Sequence, residues 1–199
     1  MLYYNLSIAK SLLKRYYIKI LLFMKTLDKI IPNHKDLIKK IHAHKTLGHK
    51  IVCTIGSWDM LHIGHLRYLN AARERGDILI VGVDSDRGIK SYKGPLRPVI
   101  PENERMEMLS YQDCVDYVTL VDDIDKNGNW QYSLIKDLPI DIFIAVEGNS
   151  YNKKQKANIK KLCGKLNIIP RQALATSSTD IIQNVIKIHL LDQLDKLKK

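Results

Sequence analysis

Apolar residues along this chain follow two rhythms, and the rhythms alternate. Leu37, Ile38, Ile41 and Leu47 recur at helical spacing behind Asn33, a side chain suited to capping a helix start. Asp36 lies three residues after Asn33, and Gly48 is placed to end that helix. Residues 50–54 then read as a short buried strand and 63–75 as a helix closed by Gly76. The near-continuous apolar run at 77–83, DILIVGV, predicts a strand covered on both faces. Residues 85–98 read as a long polar loop. Further on, the pattern predicts a helix over 102–110, a strand over 117–121 and a short helix over 130–136. A strand over 141–146, a helix over 153–166, a short strand at 168–169 and a last helix over 178–188 complete the series. This alternation predicts an α/β fold: a single-domain, doubly wound parallel sheet of about five strands with helices on both faces. Ligands of such sheets bind beyond the carboxyl ends of the strands. That singles out residues 55–65, 84–98, 121–129, 147–152 and 171–179.

The chain has 199 residues, 45% of them apolar, enough for one domain with one buried core. Its net charge of +11 first suggests a nucleic-acid partner, but the charge is unevenly placed. Residues 1–50 hold eleven of the 32 Lys/Arg and two of the 21 Asp/Glu, leaving 21 against 19 in the remainder. The body is almost neutral, and no aromatic-basic interleaving follows the basic arm into it. No nucleic-acid partner is expected. Three organising segments result: a basic arm over 1–32, a folded domain over 33–190 and a polar tail over 191–199. Within the arm, Lys10, Lys14, Arg15 and Lys19 interrupt the apolar residues, so no run approaches the roughly 20 residues of a membrane span. Met24 offers a second start, and residues 1–23 are expected to lie upstream of it and to be dispensable for chemistry. Cys53, Cys114 and Cys163 fit neither a zinc spacing nor a disulfide framework, which fits a cytoplasmic protein.

The chemistry concentrates where the first strand gives way to its helix, in TIGSWDMLHIGH (54–65). A helix start presents unpaired N–H groups and partial positive charge, which suit a phosphate. Gly56 lets the backbone come close to a ligand. His62 and His65, three apart, project from one face of the first turn, and Gly64 between them leaves room beside the helix. Two imidazoles there would donate hydrogen bonds to phosphate oxygens and stabilise charge that grows on them. No third His or Cys stands near enough to make this a metal site.

The stretch TIGSWDMLHIGHLRYLNAARERGDILIVGVDSD resembles the start of cytidylyltransferase-like domains of the HxGH nucleotidyltransferase superfamily. It is most similar to the heptose 1-phosphate adenylyltransferase domain of ADP-heptose synthesis, and next to glycerol-3-phosphate cytidylyltransferase. The resemblance runs from about residue 50 to 188. It implies a Rossmann-like fold, with His62, His65 and Lys93 as catalytic residues. Lys93 lies in KSYKGPLRP, which matches the family's KGxxRP stretch; Lys90 and Arg97 are helpers or bystanders there. The resemblance places the nucleotide against Thr54, Ile55, Gly56, Ser57, Asp59 and Gly64. Arg171 and the run Ser177, Ser178 and Thr179 would hold its outer phosphates; on local pattern alone that run is a helix cap. Asp84, Arg97, Arg105 and Glu147 fall where the acceptor or a phosphate would lie. Arg105 either reaches a phosphate or pairs with Glu102 or another acid. Asp59 either orients a histidine or metal-bound water, or caps the turn at 60–62.

Two departures stand out. Trp58 replaces the family's usual phenylalanine before the aspartate. The segment Val146-Glu147-Gly148-Asn149-Ser150-Tyr151 replaces Lys-Gly-Gly-Asp-Tyr or a Gly-Asp-Asp-like turn, which leaves nucleotide and acceptor choice open.

The implied reaction moves a nucleoside monophosphate, AMP before CMP, from an NTP to a phosphorylated small molecule such as a sugar 1-phosphate, releasing pyrophosphate. Mg²⁺ would travel with the NTP, and the families it resembles are commonly homodimers. The other readings are a glycerol-3-phosphate-type cytidylyltransferase or a non-catalytic nucleotide-binding module. A class I aminoacyl-tRNA synthetase, which shares an HIGH sequence, is excluded by chain length and by the lack of a KMSKS-like loop.

Overall fold

Five parallel strands lie in the order β3-β2-β1-β4-β5 in a computed structural model that describes residues 26–148 and 151–197. In chain order the elements are α1 (His34–Thr46), β1 (Ile51–Gly56), α2 (Ile63–Arg73), β2 (Ile78–Asp84), α3 (Asp86–Lys93) and α4 (Glu102–Ser110). They continue as β3 (Tyr117–Val121), α5 (Ser133–Asp137), β4 (Ile142–Val146), α6 (Lys153–Leu162), β5 (Lys165–Ile169) and α7 (Ser178–Leu197). The result is the expected Rossmann-like α/β sheet. The strand order reverses direction at β1, so a crevice opens between the loops that follow β1 and β4.

Side-chain alternation along β1 divides the core. Ile51, Cys53 and Ile55 face Leu37 and Ile41 of α1, Leu134 and Ile135 of α5 and Ile159 of α6. Val52 faces the other way, toward Tyr68, Leu69 and Ala72 of α2 and Met106 and Leu109 of α4. Both β1 and β2 are thereby buried on two faces, which their apolar runs predicted. α1 starts as expected: Asn33 accepts a hydrogen bond from the Lys35 N–H, a cap that contributes about 1 kcal/mol. Just before it, Ile31 N–H donates to Val118 O and Val118 N–H to Lys29 O, so the chain lies along β3. The rest of the basic arm, residues 1–25 with Met24, is outside the described residues. Among the described residues no helix is long and apolar enough to cross a membrane.

Several expected boundaries are corrected. Residues 85–98 are not one polar loop, because 86–93 form α3: Ser85 Oγ accepts from Gly88 N–H, and Gly88 and Ile89 are buried. One apolar anchor in a polar run gave too weak a periodicity to read. α6 stops at Leu162 and β5 begins at Lys165. Leu162 and Leu166, four apart, imitate a helical stripe, but Gly164 N–H bonds Ile140 O and the chain turns into the sheet. Trp130 precedes α5 and bridges Ile124 in a short antiparallel pairing. α7 continues to Leu197. Leu47, assigned to the buried stripe of α1, is 72% exposed.

Candidate active site

The carboxyl ends of β1, β2 and β4 and the start of α7 enclose a cavity of about 1050 Å³. Its chemistry begins at the turn between β1 and α2. Trp58 and Met60 both adopt left-handed backbone (φ 50° and 52°), which folds the turn tightly enough to bring His62 to the helix start. His62 is the N-cap of α2, and its Nδ1 accepts the Gly64 N–H at 3.1 Å. In the neutral ring the proton therefore sits on Nε2. The rings of His62 and His65 lie 3.9 Å apart at their centroids. Burial, then the charge His62 carries when protonated and the Lys93 ammonium, pushes the His65 pKa down to about 4. His65 Nδ1 is buried without a hydrogen-bond partner. His62 is lowered as well, by burial and then by Arg171, against the opposing pull of Asp180. Both rings are neutral donors near neutral pH.

Trp58 supports this pair from beneath. It is 5% exposed, donates its indole N–H to Gly82 O at 2.8 Å, and meets His65 edge to face at 5.6 Å. Thr54 lines the cavity, but its hydroxyl is spent on Tyr68 OH at 2.7 Å, and Tyr68 OH in turn donates to Ile144 O.

Lys93 ends α3 rather than floating on a loop. Its Nζ donates to Ser57 Oγ at 2.7 Å, at the rim of the cavity. Burial and then Arg97 lower its pKa, while Asp59 and Asp84 act the other way. Asp84 also lines the cavity and accepts from Tyr92 OH at 2.7 Å. Desolvation raises its pKa, against the Tyr92 hydrogen bond and the Arg105 and Lys93 charges.

The start of α7 completes the wall with Arg171, Ser177, Ser178 and Thr179. Ser177 caps the helix by accepting from Asp180 N–H. Ser178 Oγ donates to the main-chain oxygen of Asp59 at 2.7 Å. Gly56, Ser57 and Gly64 lie in the same wall, as does Ile55, whose carbonyl accepts from Tyr151 OH.

Four expected residues are placed elsewhere. Asp59 is fully buried; it takes Arg97 at 2.6 Å and the N–H groups of Val99 and Ile100, so it neither faces a metal-bound water nor caps the 60–62 turn. Desolvation alone would raise its carboxyl, but these bonds outweigh it and hold the pKa below the ordinary value. Arg97, spent on Asp59, does not line the cavity. Arg105 is 0% exposed and cannot reach a phosphate: its guanidinium donates to the carbonyls of Ser57, Asp84 and Ile100 and to Asp86. Its acid is Asp86, while Glu102 accepts from Asp86 N–H. Glu147 is exposed, and its N–H bonds Ile169 O away from the cavity wall. Asn149 and Ser150 are outside the described residues.

One end of the cavity was missed in the sequence. Trp130, Tyr132 and Tyr151 form an aromatic wall, with centroids of 4.1 Å for Trp130–Tyr132 and 5.7 Å for Trp130–Tyr151. The signal was present as three aromatic residues in or beside the segments after β3 and β4, and a helix assignment to Trp130 concealed it.

Residues 53–184, from the middle of β1 into α7, match the cytidylyltransferase-like family. The chain belongs to that family. The matched stretch includes the turn that carries His62 and His65. A protein named bifunctional protein HldE from Trichlorobacter lovleyi is 33% identical over 175 residues, covering 83% of this chain and 33% of that protein. The HldE of Nitratiruptor is 39% identical over 133 residues, 67% of this chain and 26% of the relative. That of Geobacter metallireducens is 44% identical over 96 residues, 48% of this chain and 20% of the relative. The chain thus spans a third or less of these curated relatives. Among solved structures, the lipopolysaccharide core biosynthesis protein from Thermoplasma volcanium superposes with a TM-score of 0.53 at 26% identity, covering 63% of this chain and all of that one.

Proposed function

We propose that this cytidylyltransferase-like chain transfers AMP from ATP to the phosphate of a sugar 1-phosphate of the heptose type, releasing pyrophosphate. The observation that carries the reading is convergence: two neutral histidines, a lysine and a hydroxyl-bearing helix start, from three separate parts of the sequence, line one cavity. The HldE relatives favour the adenylyl and heptose choice.

The acceptor phosphate is a dianion near neutral pH, so it needs no general base. One of its oxygens attacks the α-phosphorus of the NTP; the bond from that phosphorus to the bridging oxygen breaks, and both electrons leave with pyrophosphate. Alignment and charge stabilisation are then the whole task. His62, through Nε2–H, and His65 donate to the α-phosphate oxygens. Lys93 leaves Ser57 to neutralise the α- and β-phosphates. Arg171, Ser177, Ser178 and Thr179, with the N–H groups of the α7 start, hold the outer phosphates.

Among the described residues no group of three His, Cys, Asp or Glu could hold a metal ion by itself. That donor set suits Mg²⁺ carried by the triphosphate and water, with Asp84, one of two aspartates that line the cavity, as the carboxylate nearest the Lys93 side. Bound there, Mg²⁺ would supply further neutralisation of the triphosphate.

The enzyme acts in the cytoplasm, on small molecules rather than nucleic acid, as a homodimer. Val185, Ile186, Ile188, Leu190 and Leu191, all more than half exposed on α7, support the pairing of two copies. Light scattering that shows a monomer at micromolar concentration would remove the dimer.

Pyrophosphate release by the full chain with Mg²⁺ tests the reaction, with ATP and CTP crossed against heptose 1-phosphate and glycerol 3-phosphate. Release with ATP and heptose 1-phosphate is expected. Release only with CTP and glycerol 3-phosphate would replace this reading. ATP binding with silence in all four pairs would favour a non-catalytic module.

A further inference from the structure

The near-neutral charge of the body averages two unlike faces of the sheet. Helices α1, α5 and α6 cover the face that buries Leu37, Ile135 and Ile159. Together they carry ten lysines, no arginine and two acids, Asp36 and Asp137. Helices α2 and α4 cover the opposite face and carry three arginines against three glutamates. One face is therefore strongly basic and the other balanced.

Much of this charge is left open by the fold. Lys39 pairs with Asp36 at 3.3 Å, and Lys45 with Asp141 at 2.8 Å. Lys35 and Lys40 of α1 and Lys160 and Lys161 of α6 are exposed and have no acidic partner among the described residues. α6, KKQKANIKKL, holds five of the ten lysines and no acid. Lys156 and Lys160 stand four apart on it and repel each other. A surface of opposite sign would relieve that repulsion. Leu47, 72% exposed just past the end of α1, adds an apolar side chain between Lys45 and Lys50 in the sequence. Lys45 meets Asp141 before β4, and Lys161 comes just before β5. The basic face thus reaches the amino ends of the strands, away from the mouth of the cavity at their carboxyl ends.

We propose that the α1–α6 face docks on the anionic headgroups of a phospholipid bilayer and holds the protein at a membrane surface. A bilayer is wide and diffusely charged, and lysine, a compact point charge on a flexible stem, suits it. The exposed Leu47 can enter the headgroup layer beside those charges. A nucleic-acid groove would call for arginine forks and for exposed rings on which bases stack. No arginine stands on these three helices. Among the described residues the exposed rings of Tyr92 and Tyr111 belong to α3 and to the end of α4 instead. In sequence, Lys10, Lys14, Arg15, Lys19 and Lys25 add charge of the same sign, and residues 1–25 hold no acid. The proposal does not depend on which reaction the cavity performs.

Co-sedimentation of the full chain with sucrose-loaded vesicles tests this. Vesicles of phosphatidylcholine mixed with phosphatidylglycerol should carry the protein down, and vesicles of phosphatidylcholine alone should not. Added salt should release it. Lys35→Gln, Lys40→Gln, Lys160→Gln and Lys161→Gln combined should weaken the binding by about tenfold or more. Circular dichroism and melting temperature should stay close to those of the wild type. The same four positions changed to Arg keep the charge and should keep the binding, which guards against a folding artefact. A wild type that does not sediment with the anionic vesicles would overturn the proposal. Undiminished sedimentation of the combined Gln variant would overturn it as well, by moving the contact to another surface. A single-stranded RNA homopolymer bound more tightly than the vesicles at the same salt, and lost in the same variant, would put nucleic acid in place of lipid and overturn it too.

Discussion

Arg97 and Asp59 form a closed ion pair, 2.6 Å between guanidinium and carboxylate, with Asp59 0% and Arg97 15% exposed. The pair joins the loop after α3 to the turn that carries the histidines. The Asp59 main-chain oxygen adds the third part by accepting from Ser178. One buried residue thus ties together the three segments that line the phosphate end.

Asp59→Asn removes the charge and leaves Arg97 buried without its partner. Loss of about 3 kcal/mol of stability is expected, the range for breaking a buried pair from one side. Turnover should fall as well, because Lys93 and the α7 start lose their common tether. Urea unfolding and pyrophosphate release on the same preparation check both; unchanged unfolding would show that the pair contributes little.

His65→Ala and Lys93→Ala should each lower turnover by about 10²–10³-fold, the usual cost of losing a donor aimed at developing charge. Circular dichroism should stay that of the wild type. Near-normal turnover in either variant would place the chemistry elsewhere.

Gly64→Ala is a sharper probe of the same turn. A Cβ there would lie 2.9 Å from His62 Cε1 and 3.0 Å from Ala173 Cβ, so the His62 ring must move. Turnover should drop at least tenfold with only a small change in melting temperature. A matching loss of both would mean the residue matters to folding instead.

Acid should weaken the fold through His65 before it reaches the carboxylates. Its pKa is about 4 in the folded chain and near 6.5 when unfolded. Between those values the unfolded state binds more protons, so stability falls as pH drops from 6.5 toward 4. His62 and His44, also lowered by burial, add in the same direction. Asp59, held below its ordinary value, loses its contribution only at still lower pH. His65→Gln should flatten the slope between pH 6.5 and 4.5 in urea titrations, and an unaltered slope would contradict this.

Arg105→Met should lower the melting temperature markedly. Three carbonyls and Asp86 would lose their donor, a guanidinium that is itself wholly buried. Thermal denaturation reads this directly.

Much of the fold was legible because β1 and β2 are buried on two faces and advertise it as unbroken apolar runs. α3 was not, since its single anchor at Ile89 sits among polar residues and its capping is local. The phosphate end could be read from the spacing of His62, Gly64 and His65 at a strand-to-helix junction. Asp59 and Arg105 were harder, because a carboxylate or guanidinium carries no mark in sequence of whether it faces a ligand or a buried carbonyl. Trp130 was hidden for a related reason: its place depends on the Asp125-centred hairpin, a long-range consequence of polar residues that resemble any loop.

The most direct test of the account follows oxygen. Heptose 1-phosphate labelled with ¹⁸O throughout its phosphate group is mixed with ATP, Mg²⁺ and the full chain, and the products are read by mass spectrometry. Direct attack on the α-phosphorus predicts a nucleotide-sugar that keeps every labelled oxygen, alongside unlabelled pyrophosphate. Label in pyrophosphate, or ATP consumed to AMP without a sugar adduct, would contradict it.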